Sequence, residues 1–210
     1  MNPLPTTDLR SNLGTWAVPC CQLPAVGNFL HDAAPNEVFD PHFLGQNLET
    51  TYFDTPQFDL RKARIGKSRY LTLRIRCYAS PGKPDVYALS AKTESEKWRL
   101  EITPGLAHSL LRGPGDIASA LPAHLATRVT ELGASENLVP VVTVHCRRYA
   151  VEDTTDRYTL DVDVHTDNDK DLPFAVMEFK STDTDAHPQG LHNLDLRPIK
   201  ISKFLWSTKV

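Results

Sequence analysis

The feature that most constrains the fold is a set of short segments in which apolar and charged residues alternate. Residues 69–78 (RYLTLRIRCY) show the pattern most clearly, because Leu73 and Ile75 would lie on one face of a strand and Arg74 and Arg76 on the other. A mainly β protein of the α+β class is therefore expected. The same pattern predicts further strands at 48–54, 85–92, 96–102, 139–149, 157–165 and 174–181.

The charges on these strands have two explanations. A one-sided antiparallel sheet would place its apolar face on the core and its charged face in water. A closed barrel would instead turn the charged faces into a lumen, where Arg and Lys need an anion or a carboxylate to compensate them. In that case Arg74 and Arg76 favour a phosphate, because a guanidinium presents paired donors to phosphate oxygens. The alternation alone leaves both explanations open.

Helical signals are confined to two regions. Residues 16–31 (WAVPCCQLPAVGNFLH) predict a short strand or turn followed by a helix. Residues 104–132 carry apolar residues at helical spacing, with a break expected at Pro122 and a C-terminal cap at Gly133. Neither region changes the prediction that the chain is mainly β.

Length, charge and composition exclude several classes of protein. The 210 residues predict one domain at 16–210 behind a flexible tail at 1–15. A net charge of −3 argues against a nucleic-acid partner bound through overall charge. We expect a cytoplasmic protein without direct membrane insertion, because no apolar run reaches the ~20 residues of a membrane span. Free thiols in a reducing compartment are expected for the four cysteines, Cys20, Cys21, Cys77 and Cys146.

Motifs of other catalytic classes are missing from the sequence. It contains no GxSxG nucleophile elbow and no GxxxxGK[ST] phosphate loop, and its histidines lack metal-ligand spacing. His165 has the strongest claim among the histidines, because it would continue the strand face of Asp161 and Asp163. For Tyr52 and Asp54, in YFDT, a structural role is favoured.

Several short motifs follow one another in an order that resembles the VTC domain. This is the polyphosphate-polymerase domain of the vacuolar transporter chaperone complex, within the triphosphate tunnel metalloenzyme (CYTH-like) group. The resemblance covers roughly residues 48–206 and rests on YFDT (52–55), LRIRCY (73–78), AKT (91–93), PVVTVHCRRYA (140–150), RYTLDVD (157–163), AVMEFK (175–180) and KISKF (200–204).

The resemblance implies a closed antiparallel β-barrel of about eight strands, a triphosphate tunnel, with a few peripheral helices. It also implies a divalent cofactor, manganese or magnesium. Matched motif by motif, the substrate-binding residues would be Arg74, Arg76, Lys92, Arg148, Arg157 and Lys203. Lys203 and Glu178 would be catalytic, and the metal would be held by Glu178 with help from Asp161 and Asp163.

This sequence lacks some of the charged residues, chiefly carboxylates, that the family pattern contains. The group opens with a strand of alternating Glu and Lys, whereas residues 9–18 offer Asn12 and Gly14. Ser90 replaces the glutamate of the later E-x-K strand. The phosphate-binding half of the pattern is therefore better preserved than the metal-binding half.

Three functions are compatible with these observations. The first is metal-dependent phosphoryl transfer that makes polyphosphate from a nucleoside triphosphate. The second is hydrolysis of inorganic tripolyphosphate or a nucleoside triphosphate. The third is a non-catalytic polyphosphate or phosphate sensor, which the missing carboxylates favour. The resemblance also implies a membrane-protein partner subunit for the first of these.

Overall fold

The computed structural model describes residues 11–33, 45–66, 69–113, 116–134, 138–152, 154–188 and 190–208. The helices are α1 (Leu23–Ala33), α2 (Asp59–Gly66), α3 (Pro104–Leu111), α4 (Ala123–Glu131) and α5 (Lys203–Ser207). The strands are β1 (Ser11–Val18), β2 (Gln46–Asp54), β3 (Thr72–Ala79), β4 (Val86–Lys92), β5 (Lys97–Ile102), β6 (Val139–Glu152), β7 (Asp156–Thr166), β8 (Ala175–Ser181) and β9 (Arg197–Pro198).

Within the described residues, all nine strands belong to one antiparallel sheet in the order β5-β4-β3-β2-β6-β7-β8-β1-β9. The seven strands predicted from alternation are confirmed. The two helical regions are confirmed as well, including the break at Pro122 and the left-handed Gly133 (φ 70°) that ends α4. β1 begins at Ser11 and therefore includes residues 11–15 of the segment that was predicted as a flexible tail.

The predicted closure of the barrel is not found in the described part of the chain. β5 and β9 are the two edges of the sheet, and no ladder of hydrogen bonds joins them. β9 is only two residues long and ends in Pro198, which has no N–H to donate to a further strand. The architecture is therefore an open antiparallel sheet with helices on its faces.

The sheet nevertheless curves strongly. β3, β2, β6 and β7 lie between β4 and β8, so a flat sheet would place Lys92 on β4 about 24 Å from β8. Yet the charges of Glu178 and Lys180 on β8 act on the Lys92 ammonium group. The two strands must therefore face each other across a cleft, and we call the cleft side of the sheet its inner face.

Helices cover the outer face in two groups. One side, from β2 to β5, packs against α3, α4 and the 3₁₀ turn between them, where Ile117, Leu125 and Val129 are almost fully buried. The other side, around β7 and β8, packs against α1 through Val26 and Leu30. Burial of this apolar surface explains why one residue in two on each strand is apolar.

α5 packs on the inner face instead. Phe204 is 2% exposed and contacts apolar inner-face residues of β2, β6 and β7. Its ring lies 5.2 Å from that of Tyr52, centroid to centroid. The helix therefore fills part of the cleft with apolar contacts and brings its first residue, Lys203, to the edge of the charged region.

α2 is held by a buried carboxylate. Asp54, at the end of β2, is 0% exposed and accepts hydrogen bonds from the backbone N–H groups of Thr55, Leu60 and Arg61 at 2.7–2.9 Å. Burial raises the pKa of Asp54, while these three donors oppose that shift. The YFDT segment thus has a structural role, as predicted, because it fixes the start of the helix.

We expect Asp54→Ala to lower the free energy of unfolding by about 2 kcal/mol, because three buried donors lose their acceptor. Urea unfolding followed by circular dichroism measures the change. Asp116→Ala is the matched control, since Asp116 caps a short 3₁₀ helix through Ser119 on the exposed surface. Equal losses for the two variants would contradict the role given to Asp54.

Candidate functional site

Cationic side chains from five strands and from α5 gather on the inner face. We call this set the basic face. It comprises Arg74 and Arg76 on β3, Lys92 on β4, Arg148 on β6, Arg157 on β7, Lys180 on β8 and Lys203 on α5. The inner face brings together every substrate-binding residue predicted from the sequence, but their surroundings differ.

Arg76 is the most unusual member of the basic face. Its side chain is 7% exposed, and its Nε donates a 2.8 Å hydrogen bond to the hydroxyl of Thr50, its partner on β2. Burial, then Arg74 and Arg148, lower the pKa of Arg76. No acidic side chain among the described residues forms an ion pair with it. A buried, charged guanidinium without a counter-ion is costly, and a bound anion would remove that cost.

The aromatic ring of Tyr78 lies close to Arg76. The Arg76 guanidinium lies 5.8 Å from the ring centre of Tyr78, and the guanidinium of Arg99 on β5 lies 4.8 Å from it. Burial opposes ionisation of Tyr78, but Arg76, Arg99 and Arg74 together lower its pKa. Positive charge therefore dominates this wall of the cleft.

Arg64 on α2 lies beside the basic face, next to Lys92, and was not predicted from the sequence. Its guanidinium stacks 3.6 Å from the ring centre of Tyr70, and its charge acts on Lys92. Lys92 reaches solvent, yet partial desolvation, Arg64 and Arg74 lower its pKa. Arg64 was missed because α2 was not predicted. The DLRKAR segment at residues 59–64 is the signal that could have found it.

Asp161 neutralises the opposite wall. Its carboxylate is 1% exposed and accepts two hydrogen bonds from Arg148, at 2.5 and 2.6 Å, and one from the ammonium group of Lys203. Burial acts against the charged form, but Arg148 and Lys203 hold the pKa of Asp161 far below its ordinary value of 3.8. The same pairing raises the pKa of Arg148 despite its burial. Arg148 and Lys203, which were predicted to bind phosphate, are thus already paired with a carboxylate.

The far end of the inner face carries both signs of charge. Glu178 on β8 lies 3.9 Å from Lys180, and Arg157 on β7 lies 3.4 Å from Glu152. Burial would raise the pKa of Glu178, but Lys180 and Arg148 lower it, so the carboxylate stays ionised. Beside it, the buried hydroxyl of Thr159 has no hydrogen-bond partner among the described residues.

A β-bulge changes the face of β7 after Asp161. The ladder with β6 pairs Arg148 with Asp161 but His145 with His165, so Asp163 and Val164 together oppose one residue of β6. Asp163 has a left-handed backbone (φ 52°) and is exposed. The expectation that Asp163 and His165 share the face of Asp161 is therefore wrong.

The three predicted metal ligands are not assembled. Arg148 and Lys203 occupy both oxygens of Asp161, and the bulge exposes Asp163, which leaves Glu178 alone. The described part of the chain contains no group of three or more His, Cys, Asp or Glu side chains that could hold a metal ion. A metal centre built by these residues therefore does not fit, and the identity of any divalent ion stays a prediction.

The departures from the family pattern have local structural reasons. The Asn12 side chain accepts a hydrogen bond from the Gly14 N–H at 3.1 Å, at an irregularity in the β1–β8 ladder. A Cβ on Gly14 would lie 2.1 Å from the ring of Trp16, so a larger residue would require that ring to move. Ser90 stands between Arg74 and Arg99 on the neighbouring strands, which leaves both arginines without a carboxylate at that position.

This chain shares its overall fold with several solved structures. A candidate adenylate cyclase from Bacillus halodurans matches with a TM-score of 0.65 at 13% identity, over 95% of this chain and 97% of that one. A candidate adenylyl cyclase from Hippeastrum, reported to have a dominant triphosphatase activity, matches with a TM-score of 0.56 at 20% identity, over 94% and 95%. A protein from Pyrococcus horikoshii matches with a TM-score of 0.51 at 16% identity, over 92% and 94%.

The family follows from the sequence match. The model of the VTC domain matches residues 18–210, and the chain belongs to this family. The resemblance inferred from the motifs is thereby confirmed and extends beyond the range they covered. No significant match was found among curated proteins. None of the helices in the described ranges has both the length and the apolar character to cross a bilayer.

We expect Asp161→Asn to lower the free energy of unfolding by about 3–5 kcal/mol, because Arg148 and Lys203 would remain buried without their counter-ion. The pKa of Asp161 is lowered in the folded state. Its contribution to stability is therefore present above the ordinary value of 3.8 and is lost as the pH falls through the folded-state pKa. Urea unfolding at neutral pH and at several acidic pH values should show the difference between wild type and variant shrinking on acidification.

Glu152→Gln is the matched control for this variant. The Glu152–Arg157 pair also joins β6 to β7, but half of the Glu152 side chain is exposed (50%). We expect its loss to change stability by less than about 1 kcal/mol, since exposed pairs are screened by water. A difference between wild type and Asp161→Asn that did not change with pH would contradict the assignment.

Proposed function

We propose that this VTC-family protein binds the triphosphate group of a nucleoside triphosphate, or a polyphosphate chain, on its basic face. The observation that carries the proposal is the buried charge of Arg76, which donates a hydrogen bond to the Thr50 hydroxyl, forms no ion pair with an acidic side chain among the described residues, and lies next to Arg74. A polyanion with closely spaced charges would compensate both guanidinium groups at once.

The two walls of the cleft would contribute differently. Arg74, Arg76 and Lys92 are available as direct donors, with Arg64 beside Lys92 at the end of the same wall. Across the cleft, the pairing of Arg148 and Lys203 with Asp161 leaves one net positive charge there, since two cations share one carboxylate. The unpartnered Thr159 hydroxyl adds a neutral donor near Glu178.

The reaction that we propose is phosphoryl transfer that makes polyphosphate from a nucleoside triphosphate. Membership of the VTC domain family supports it. In such a transfer the protein mainly positions the phosphates in line and stabilises the charge that develops on their oxygens. Lys203 would stabilise that charge from α5, and Glu178 would orient the ammonium group of Lys180, 3.9 Å away.

Hydrolysis is the second candidate. It is supported by the likeness of fold to the Hippeastrum protein, which is reported to have a dominant triphosphatase activity. Binding without turnover is the third, and it is supported by the absence of an assembled carboxylate cluster in the described residues. A membrane-protein partner remains a proposal attached to polymer synthesis.

We expect Arg74→Ala and Arg76→Ala each to weaken tripolyphosphate binding roughly tenfold to hundredfold, the loss of one or two charge-assisted hydrogen bonds. Isothermal titration calorimetry at fixed salt measures the affinity. Stability should change little, because removing an uncompensated buried charge offsets the lost contacts. Arg112→Ala is the control, since this exposed arginine ends α3 on the outer face. Unchanged affinity in both variants would refute the site.

Product analysis separates the three reactions. The protein is incubated with ATP supplied as its manganese or magnesium complex, and the products are resolved on a polyacrylamide gel. We expect long-chain polyphosphate in wild type and its loss in Arg76→Ala. Free phosphate without polymer would favour the hydrolase. Neither product, combined with tight tripolyphosphate binding, would favour the sensor.

A further inference from the structure

The inner face carries, on β7 and β8, a group of polar side chains whose hydrogen-bonding capacity is unused. Thr159 on β7 and Glu178 on β8 are direct partners across the ladder. Thr159 is 3% exposed, and its hydroxyl has no hydrogen-bond partner among the described residues. The buried Nε of Arg157, two residues earlier on the same face, makes no hydrogen bond there either, although it lies 3.4 Å from Glu152. Buried polar atoms are normally hydrogen-bonded, so two such donors on one strand face indicate a place for a ligand.

Glu178 adds an acceptor beside these donors. Its carboxylate accepts no hydrogen bond from the described residues, since Lys180, with which it forms an ion pair, is 3.9 Å away. Burial would raise the pKa of Glu178, but Lys180 and Arg148 lower it, so the acceptor is an ionised carboxylate. A ligand that lies between Thr159 and Glu178 must therefore accept a hydrogen bond from one and donate a hydrogen bond to the other.

The phosphates of a polyphosphate chain differ in their ability to do both. An interior phosphate has one acidic oxygen, which is ionised at neutral pH, so it presents acceptors only. A terminal phosphate has a second acidic group, whose pKa is about 6 in a phosphate monoester. A neighbouring carboxylate favours the protonated form, in which a P–OH group can donate. A carboxylate next to a hydroxyl is therefore suited to the end of a chain and not to its interior.

We propose that Thr159 and Glu178 recognise the terminal phosphate of the bound chain in its singly protonated form. The Thr159 hydroxyl donates to one phosphate oxygen, the P–OH group donates to the Glu178 carboxylate, and Arg157 binds a remaining oxygen. An interior phosphate at this position would turn an ionised oxygen toward Glu178 and would be repelled. The inference rests on the proposed function, because it assigns an end to the chain that the basic face binds.

Lys92 connects this position to the rest of the basic face. It lies on the opposite wall of the cleft, and the charges of both Arg74 and Glu178 act on its ammonium group. A chain that ends at Thr159 would therefore pass Lys92 and continue toward Arg74 and Arg76. In this arrangement the cations supply most of the affinity, whereas the hydroxyl and the carboxylate distinguish the end of the chain.

A linear and a cyclic triphosphate together test the proposal. Tripolyphosphate has two terminal phosphates, whereas trimetaphosphate is a ring of three phosphates without an end. Isothermal titration calorimetry on the whole protein, at neutral pH and fixed salt, should show tighter binding of the linear form. Thr159→Val should weaken tripolyphosphate binding about tenfold and change trimetaphosphate binding less than about twofold. Because Thr159 is uncharged, the charge difference between the two ligands cancels when variant and wild type are compared. Thr159→Ser keeps the hydroxyl and should keep the wild-type ratio of affinities.

The melting temperature without ligand gives a second readout. Thr159→Val should raise it by about 2 °C or more, because a buried hydroxyl without a partner is removed. Thr51→Val is the matched control, since Thr51 is also buried but lies on the outer face with its hydroxyl 3.0 Å from that of Thr143. This control should melt at a lower temperature and bind both ligands as wild type does.

The outcomes separate this inference from the proposed function. If Thr159→Val and Thr159→Ala both keep the wild-type ratio of affinities while Arg76→Ala still weakens tripolyphosphate binding, the chain-end assignment is overturned and the proposed function stands. Equal binding of ring and chain by the wild type, or an equal loss of preference in Thr51→Val, would also overturn the assignment. A lower melting temperature of Thr159→Val with unchanged affinities would overturn it in favour of a structural water on the hydroxyl. No tripolyphosphate binding by the wild type would overturn both proposals.

Discussion

One buried carboxylate determines how the inner face is organised. Asp161 accepts hydrogen bonds from Arg148 on the neighbouring strand and from Lys203 at the start of α5. Without it, two cations would be buried side by side with no counter-ion, and the electrostatic reason for α5 to lie in the cleft would be lost. The apolar contacts of Phe204 then complete the attachment of the helix. Helix position and charge distribution therefore depend on the same side chain.

The cleft has two electrostatically different walls as a consequence. On the Asp161 side, one carboxylate already balances half of the positive charge of Arg148 and Lys203 before any ligand arrives. On the β3–β4 side, Arg76 is desolvated and faces neighbouring arginines rather than acids. In the proposed function, an incoming polyphosphate would meet unbalanced charge on one wall, and it would compete with Asp161 for the cations of the other. The tightest contacts are therefore expected with β3.

Much of the fold followed from the sequence because it depends on local alternation. The strands at 69–78 and 157–165 were predicted from the alternation of apolar and charged residues, whereas the expectation that the charged residues face inward came from the family resemblance. β1 was predicted only in part, as a short strand or turn from Trp16, and α2 was missed, in both cases for physical reasons. β1 contains Gly14 beneath the Trp16 ring, which hides its alternation, and α2 depends on the cap that Asp54 provides from the preceding strand.

The candidate site was predicted less completely, because its members come from distant parts of the chain. Family order placed Arg74, Arg148 and Lys203 in one site, but nothing local to the sequence pairs Asp161 with the last two. Barrel closure was expected from the resemblance, yet the described β5 and β9 stay unpaired with each other. A bulge is equally hard to foresee, since Asp163 can occupy a regular strand or a left-handed position.

The bulge in β7 also has an evolutionary consequence. In a regular strand, inserting or deleting one residue exchanges the two faces along the rest of its length. Here that exchange has already taken place between Asp161 and His165, and the ladder to β6 continues on both sides of it. Asp161 therefore faces the cleft, whereas His165, an even number of residues further on, faces the outer surface, so the two positions are under different constraints. The two ends of a single strand can diverge separately, so conservation at Asp161 in relatives need not extend four residues further along the chain.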